Sequence, residues 1–247
     1  MSESAEAAAL ASLALFAGGA VKGLTGLGLP LIAVPFLAYV IGLRDAIQII
    51  VIPITLSNLT QIFQGGRFPL VLRRFWTLLV PLVVGLIVSA NVMVRLPERT
   101  LDLVLGLSLL VVPPSLHFGR RFRVRPEQER WLSPVTGAVS GVLGGLSTIY
   151  GPPIMLYLRA LGLEKTEFVA AISLLYFVGS LGIFVGVYGS GETSLHTFER
   201  SCAACIPMFA GMWLGQRIHV RLSERHFAQV LLVALSVIGA SFVLRAF

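Results

Sequence analysis

Apolar stretches of roughly 17 to 22 residues recur almost from end to end of this chain, about the length a helix needs to cross a hydrocarbon core of roughly 30 Å. That repetition leaves no segment for a separate soluble domain. With 56% hydrophobic and 13% charged residues among 247, a water-soluble fold lacks the polar surface to cover such a core, so the bilayer is the natural solvent. The stretches are rich in Leu and Ala and lack the alternation of a lipid-facing strand, which sets a barrel aside and leaves helices. The first 21 residues carry Glu3 and Glu6 but no Lys or Arg, unlike the basic start of a secretory signal, so the N-terminus is expected to stay attached.

A formal charge of +7 raises nucleic acid as a partner, but the arginines sit in short loops between apolar spans, where a positive balance reports orientation instead. Nucleic-acid binding is therefore not expected. The two cysteines form Cys202-Ala-Ala-Cys205 inside an apolar run without His or Cys companions at metal spacing, so they read as small packing residues. No metal site and no cofactor are expected.

The chain repeats itself. Gly19-Ala-Val-Lys-Gly-Leu-Thr-Gly26 is matched by Gly137-Ala-Val-Ser-Gly-Val-Leu-Gly-Gly145 at an offset of 118, where Pro35 also meets Pro153 and Tyr39 meets Tyr157. Later, Pro81 and Gly85 meet Pro207 and Gly211, and Val94-Arg-Leu-Pro-Glu-Arg99 meets Val220-Arg-Leu-Ser-Glu-Arg225, all at an offset of 126. The predicted fold is an all-α membrane protein of two homologous halves, residues 1–118 and 131–247, joined by a basic cytoplasmic linker at 119–130. Each half reads as a Gly/Pro-broken pair of short helices, 8–22 with 28–42 and 131–146 with 152–162, followed by three transmembrane helices. These are 46–63, 76–94 and 100–117, then 168–188, 201–217 and 227–244.

If each broken pair enters and leaves on one side, or makes two tilted crossings, each half crosses an odd number of times and the second half is inverted. A single broken crossing would make the halves parallel. Loop charge favours inversion. The loops with Arg67, Arg73 and Arg74, with Arg120, Arg121, Arg123, Arg125, Arg130, Glu127 and Glu129, and with Arg217, Arg221, Arg225 and Glu224 are all net positive. The acidic N-terminus, the loop with Arg95, Glu98 and Arg99, and the loop with Glu192, Glu199 and Arg200 are nearly neutral or negative. The positive-inside rule then puts both termini outside the cytoplasm.

Interrupted helices at matching positions of inverted repeats point to a substrate site near the midplane. The breaks are Lys22-Gly-Leu-Thr-Gly-Leu-Gly-Leu-Pro30 and Gly141-Val-Leu-Gly-Gly-Leu-Ser-Thr-Ile-Tyr-Gly-Pro-Pro153, with new helices expected to start at Pro30 and Pro152. A helix start offers unpaired N–H groups and about half an elementary charge, so two converging starts would cradle an anion. Lys22, the only Lys or Arg in the first 43 residues, adds a full positive charge at a cost of about 2.5–3.5 kcal/mol on insertion scales. Its plainer role is to snorkel to an interface. The candidate substrate-binding set is Lys22, Thr25, Gly26, Gly28, Asn58, Gly144, Gly145, Ser147, Thr148 and Tyr150, with Ser140 as a further hydroxyl. The hydroxyls equally suit backbone carbonyls, and Asn58, like Tyr176 and Ser180 on the matching span, suits interhelical bonding as well as it suits lining the site.

At Gly23-Leu-Thr-Gly-Leu-Gly28 with Pro35, and at Gly141-Val-Leu-Gly-Gly145 with Gly151-Pro-Pro153, the chain resembles the sulfite exporter TauE/SafE (TSUP) family of membrane permeases over essentially its whole length. The resemblance implies a bacterial cytoplasmic-membrane carrier of sulfite, sulfonates or related small anions, with no enzymatic role. The sequence departs from the family's Gly-X-Gly-Gly pattern where Gly26-Leu-Gly28 is followed by Leu29 and Pro30.

The expected function is a secondary transporter moving a small anion by alternating access, with the bilayer and the anion as its partners and no P-loop for ATP. The coupling ion, the direction and the substrate are not written in the sequence, and the glycine faces fit a homodimer as well as packing within one chain. A passive anion channel is the first alternative. A membrane thiol carrier using Cys202 and Cys205 is the second. Replacing both cysteines by serine is expected to leave transport in liposomes intact, and loss of activity would favour the thiol carrier.

Overall fold

The computed structural model describes residues 2–26, 29–65, 68–118, 123–218 and 224–247. Ten helices account for almost all of them: α1 Ser2–Thr25, α2 Leu29–Ile41, α3 Leu43–Gly65, α4 Phe68–Met93, α5 Glu98–Phe118, α6 Pro126–Ser147, α7 Gly151–Ala160, α8 Lys165–Gly189, α9 Leu195–Ile218 and α10 Glu224–Arg245. Four segments, within α1, α3, α4 and α8, are both long and apolar enough to cross a membrane, and no strand occurs among the described residues.

The three later helices of each half coincide with the predicted spans, but the broken pairs are built differently from the prediction. Their first arms are long, with 24 residues in α1 and 22 in α6, about 36 and 33 Å at the α-helical rise. Their second arms are short, 13 residues in α2 and 10 in α7. The prediction missed the polar first turns, which are helical too. In α6, Pro126 opens the helix, the Gln128 Oε1 accepts the Arg125 N–H at 3.0 Å, and Glu127 and Glu129 lie favourably at the positive end of the dipole. Likewise Arg73 and Arg74, expected in a loop, belong to α4, while Arg67, Arg120, Arg121 and Arg221 lie outside the described residues.

Both broken pairs are hairpins. The N–H of Val124, just ahead of α6, donates to the carbonyl of Ala160 at the end of α7, 2.9 Å away, and Ser133 of α6 shares a 2.5 Å hydrogen bond with Tyr157 of α7. In the first pair a Cβ on Gly18 would lie 2.9 Å from Ala33 Cβ and 3.1 Å from the Leu29 carbonyl, so α2 folds back along α1.

The two breaks share one local geometry. Gly26 ends α1 at φ +72 with its N–H on Lys22 O at 2.8 Å, and Thr148 ends α6 at φ 62 with its N–H on Gly144 O at 2.6 Å. A proline then stands second in each short helix, Pro30 in α2 and Pro152 in α7. Structural equivalence across the breaks therefore runs at an offset of 122, one helical turn beyond the 118 read from the glycines. Glycines spaced four apart present the same face at either register, so residue identity alone matched them one turn early.

The chain forms two compact units, one of residues 1–54, 97–109 and 193–247, the other of residues 55–96 and 110–192. Each takes its broken pair from one half of the sequence and the helix backing that pair from the other half. In the first unit α1 lies parallel to α9, with Gly19 against Met208 O, Gly23 against Met212 O, and Gly211 and Gly215 against the Phe16 and Ala20 carbonyls. In the second, α6 lies parallel to α4, Gly137 facing Leu78 O and Gly141 facing Gly85. A Cβ on Gly141 would lie 2.7 Å from Leu82 O and 2.9 Å from Gly85 Cα, so only glycine lets these backbones touch. Helix α8 runs parallel to α4 as well, with Gly182 on Leu86 and Gly186 on Ala90.

Gly141→Ala is expected to lower unfolding stability in detergent by about 1–3 kcal/mol through overpacking. Gly189→Ala, where a Cβ meets nothing within 4 Å, should change it little.

Candidate functional site

The second unit carries the better-defined site. Between α6 and α7 the chain turns through Thr148, Ile149 and Tyr150, and the phenol of Tyr150 is held deep in the unit, 3% exposed. Its hydroxyl donates to the Tyr176 carbonyl on α8 at 2.8 Å. Asn58, 2% exposed on the C-terminal part of α3, donates its Nδ2 to the same carbonyl at 3.0 Å and approaches the Tyr150 oxygen at 3.5 Å. Mid-helix carbonyls already serve the α-helical ladder, so this doubly used oxygen is a polar knot that fixes α3, the turn and α8 together. Tyr176 meets the Tyr150 ring edge-on at 5.5 Å between centroids, and Gly179 clears room for that ring, because a Cβ there would lie 2.8 Å from Cε2.

The turn itself is tied down by its own hydroxyls. Ser147 Oγ donates to Leu143 O at 2.7 Å and accepts the Ile149 N–H at 3.3 Å, while Thr148 Oγ1 donates to Ser147 O at 2.6 Å. Both side chains hold the left-handed end of α6 in place. Gly144 is forced by Tyr150 and Leu86, since a Cβ would lie 2.6 Å from both Tyr150 Cβ and Leu86 Cδ2. Gly145 packs on Ser89 Oγ of α4, whose hydroxyl is placed between the carbonyls of Gly85 at 2.5 Å and Gly141 at 3.0 Å. The predicted residues Asn58, Gly144, Gly145, Ser147, Thr148 and Tyr150 thus form one connected neighbourhood.

What this neighbourhood offers a ligand is narrower than a generic helix start. Pro152 and Pro153 occupy the second and third positions of α7 and have no N–H, so the open donors are the peptide N–H groups of Tyr150 and Gly151. The Tyr176 hydroxyl lies directly over Gly151, where any Cβ would strike it, and it takes no hydrogen bond among the described residues. Sequence reasoning left Tyr176 between lining the site and making an interhelical bond. The pairing of a glycine helix start with an aromatic hydroxyl across the gap has no signature in residue spacing. Ser140 Oγ, fully buried on α6, is a further hydroxyl without a partner among the described residues.

In the first unit, Lys22 is 6% exposed in the last turn of α1, and Gly26 ends that helix in the left-handed region. Thr25 is exposed and donates to Val21 O at 2.8 Å, the back-bonding habit of helical threonines. Gly28 lies outside the described residues. At the equivalence set by the breaks, Lys22 corresponds to Gly144. Whereas the second unit fills this neighbourhood with an aromatic side chain, the first places a lysine there.

Elsewhere, Cys202 is exposed on α9 and Cys205 half-buried, its thiol 3.7 Å from Ser201 O, with no disulfide between them. Among the described residues no three His, Cys, Asp or Glu side chains gather as metal ligands.

The model of one protein family, Sulfite exporter TauE/SafE, matches residues 10–242. Comparison with curated proteins and with solved structures gives no match.

Removing the knot has a measurable cost. Asn58→Ala and Tyr150→Phe are each expected to lower unfolding stability by about 0.5–1.5 kcal/mol. Because both bonds end on one carbonyl, the double variant should lose less or more than the sum, and strict additivity in a double-mutant cycle would show that the two act separately.

Proposed function

The chain belongs to the sulfite exporter TauE/SafE family, and from that premise we propose that it is a secondary transporter exchanging sulfite, a sulfonate or a related small sulfur anion across the bacterial cytoplasmic membrane. Proteins of this family are membrane transporters of sulfur anions, not enzymes. The observation that carries the finer reading is the recurrence, in each unit, of a left-handed helix end followed three residues later by a proline-opened helix.

The chemistry of each break suits an oxyanion. In the second unit the Tyr150 and Gly151 N–H groups and the Tyr176 hydroxyl are donors with no competing carboxylate in their immediate set, at the positive end of α7. In the first unit Lys22 supplies a formal charge beside the start of α2. Hydrogen-bond donors from backbone and hydroxyl recognise the multiple oxygens of sulfite or a sulfonate and hold them without fixing a single substituent, which suits a carrier that must also release its cargo.

The directions of the helices support alternating access by inverted halves. Two-armed hairpins add an even number of crossings, so three further spans make each half odd. An inverted chain with both termini outside would run α4, α6 and α8 from inside to outside and α1 and α9 from outside to inside. The parallel pairings within the units agree with this. The loop charges described above set its orientation.

A passive channel of the same fold remains the second reading, and saturable exchange separates the two. Purified protein in liposomes is expected to show counterflow of labelled sulfite that saturates and is inhibited by sulfonates. Lys22→Met should reduce that exchange about tenfold or more while the protein stays folded, as one lost charge-assisted contact worth about 1.5–3 kcal/mol requires. Unchanged exchange would assign Lys22 to anchoring, and non-saturable flux would favour the channel.

A further inference from the structure

The two ends of the α4/α8 interface are built differently. At one end the helices touch through glycine, a Cβ on Gly186 coming 2.7 Å from Ala90 Cβ and one on Gly182 coming 3.3 Å from Leu86 Cβ. Toward the helix starts a cavity of about 330 Å³ is lined by Leu70, Val71 and Arg74 of α4 and by Glu167 and Ala170 of α8, with Val71 and Ala170 buried in its wall. Across that opening Arg74 Nη1 reaches Glu167 at 2.6 Å. The same guanidinium is forked onto Glu129 of α6, Nε to Oε1 at 3.0 Å and Nη2 to Oε2 at 3.1 Å.

These two ion pairs are not equivalent. The fork to Glu129 uses two parallel bonds, and it joins α4 to α6, helices already fused backbone to backbone at Gly141 and Gly85. The bond to Glu167 is single and spans the cavity between α4 and α8. All three side chains are partly exposed, at 38%, 23% and 33%, so water is at hand to replace the single bond. Behind Glu167 the chain passes through Gly162, at φ +65 with nothing within 4 Å of a Cβ, into α7, whose start carries the donors over which Tyr176 lies.

We propose that Arg74 and Glu167 form a releasable latch: Arg74, anchored on Glu129, holds the first turns of α8 against α4, and release lets that end of α8 swing about its glycine contacts at Gly182 and Gly186. The swing carries Tyr176, which lies between the latch and the glycine contacts, away from Gly151 of α7, itself held to α6 through Val124–Ala160 and Ser133–Tyr157, so the latch controls access to the donors at the start of α7. Its role in controlling access rests on the transporter reading above, whereas the latch itself does not.

The test starts from protein with Cys202 and Cys205 replaced by serine and a single reporter thiol, Ala170→Cys, on the cavity wall. The labelling rate with a water-soluble maleimide is measured in detergent micelles. Adding Glu167→Gln is expected to raise that rate at least threefold, because the cavity opens more often. An unchanged rate overturns the latch. If Glu167→Gln does not fold, Arg74→Gln, which removes the charge that pairs with Glu167, serves instead with the same two outcomes. A second readout joins Val71→Cys to Ala170→Cys with a short reducible bifunctional thiol reagent. Sulfite counterflow is expected to stop on cross-linking and return on reduction, and exchange that persists in fully cross-linked protein overturns control of access by the latch. Because maleimide labelling needs no transport, its failure speaks against the latch alone. Absent counterflow in the unmodified protein speaks against the transporter reading.

Discussion

Direct contact between helix backbones is the constraint on which the other features depend. In a bilayer, burying Leu against Leu gains nothing over burying it against lipid, so helices are held by close packing and polar bonds. Here glycines on α1 and α9, and on α4 and α6, bring carbonyl oxygens within reach of the neighbouring Cα. The approach has a second effect: Ser89 lies between the carbonyls of Gly85 and Gly141, where a hydroxyl serves two helices at once. With α6 fixed in this way, the turn at its end has a defined position, and so do the donors that follow it.

The polar knot of Asn58, Tyr150 and the Tyr176 carbonyl is the complement to those glycines. It sits where the ladder of backbone bonds is interrupted, and interrupted backbone in a membrane must find partners or line a cavity. Ser147 and Thr148 satisfy the local carbonyls, and Tyr150 anchors the turn to α8. What remains unsatisfied is a small set of donors around Gly151. In this way the fold separates the groups that hold the break together from the donors it leaves open, which a reading of residue types alone cannot do.

That distinction marks the limit of what was legible in the sequence. The spans and the breaks were legible because apolar length and Gly/Pro interruptions are local properties of the chain. The matched pairs Pro81 with Pro207 and Gly85 with Gly211 already hinted that α4 and α9 do equivalent work. The helical first turns of α1 and α6 were not legible, because polar residues there look like loop until a proline or a cap is recognised, and in α4 the Arg73–Arg74 pair hid the apolar turn before it. Nor was the one-turn shift between the repeats, because glycines four apart are interchangeable by identity. Tyr176 could not be told from an interhelical bond because its hydroxyl matters only through proximity to Gly151, a residue far away in sequence.

The exchange of helices between the halves bears on how the protein is made. Gly19 and Gly211, partners across α1 and α9, stand near opposite ends of the chain. At about 5–20 residues per second, the ribosome takes on the order of ten to forty seconds to supply α9 after α1 has emerged. Throughout that interval the glycine face of α1 lies against lipid or a membrane chaperone, and the first half is a folding intermediate by construction. Nascent chains stalled after α5 should therefore be the species most exposed to quality-control proteolysis, and separately expressed halves should survive only when both are present.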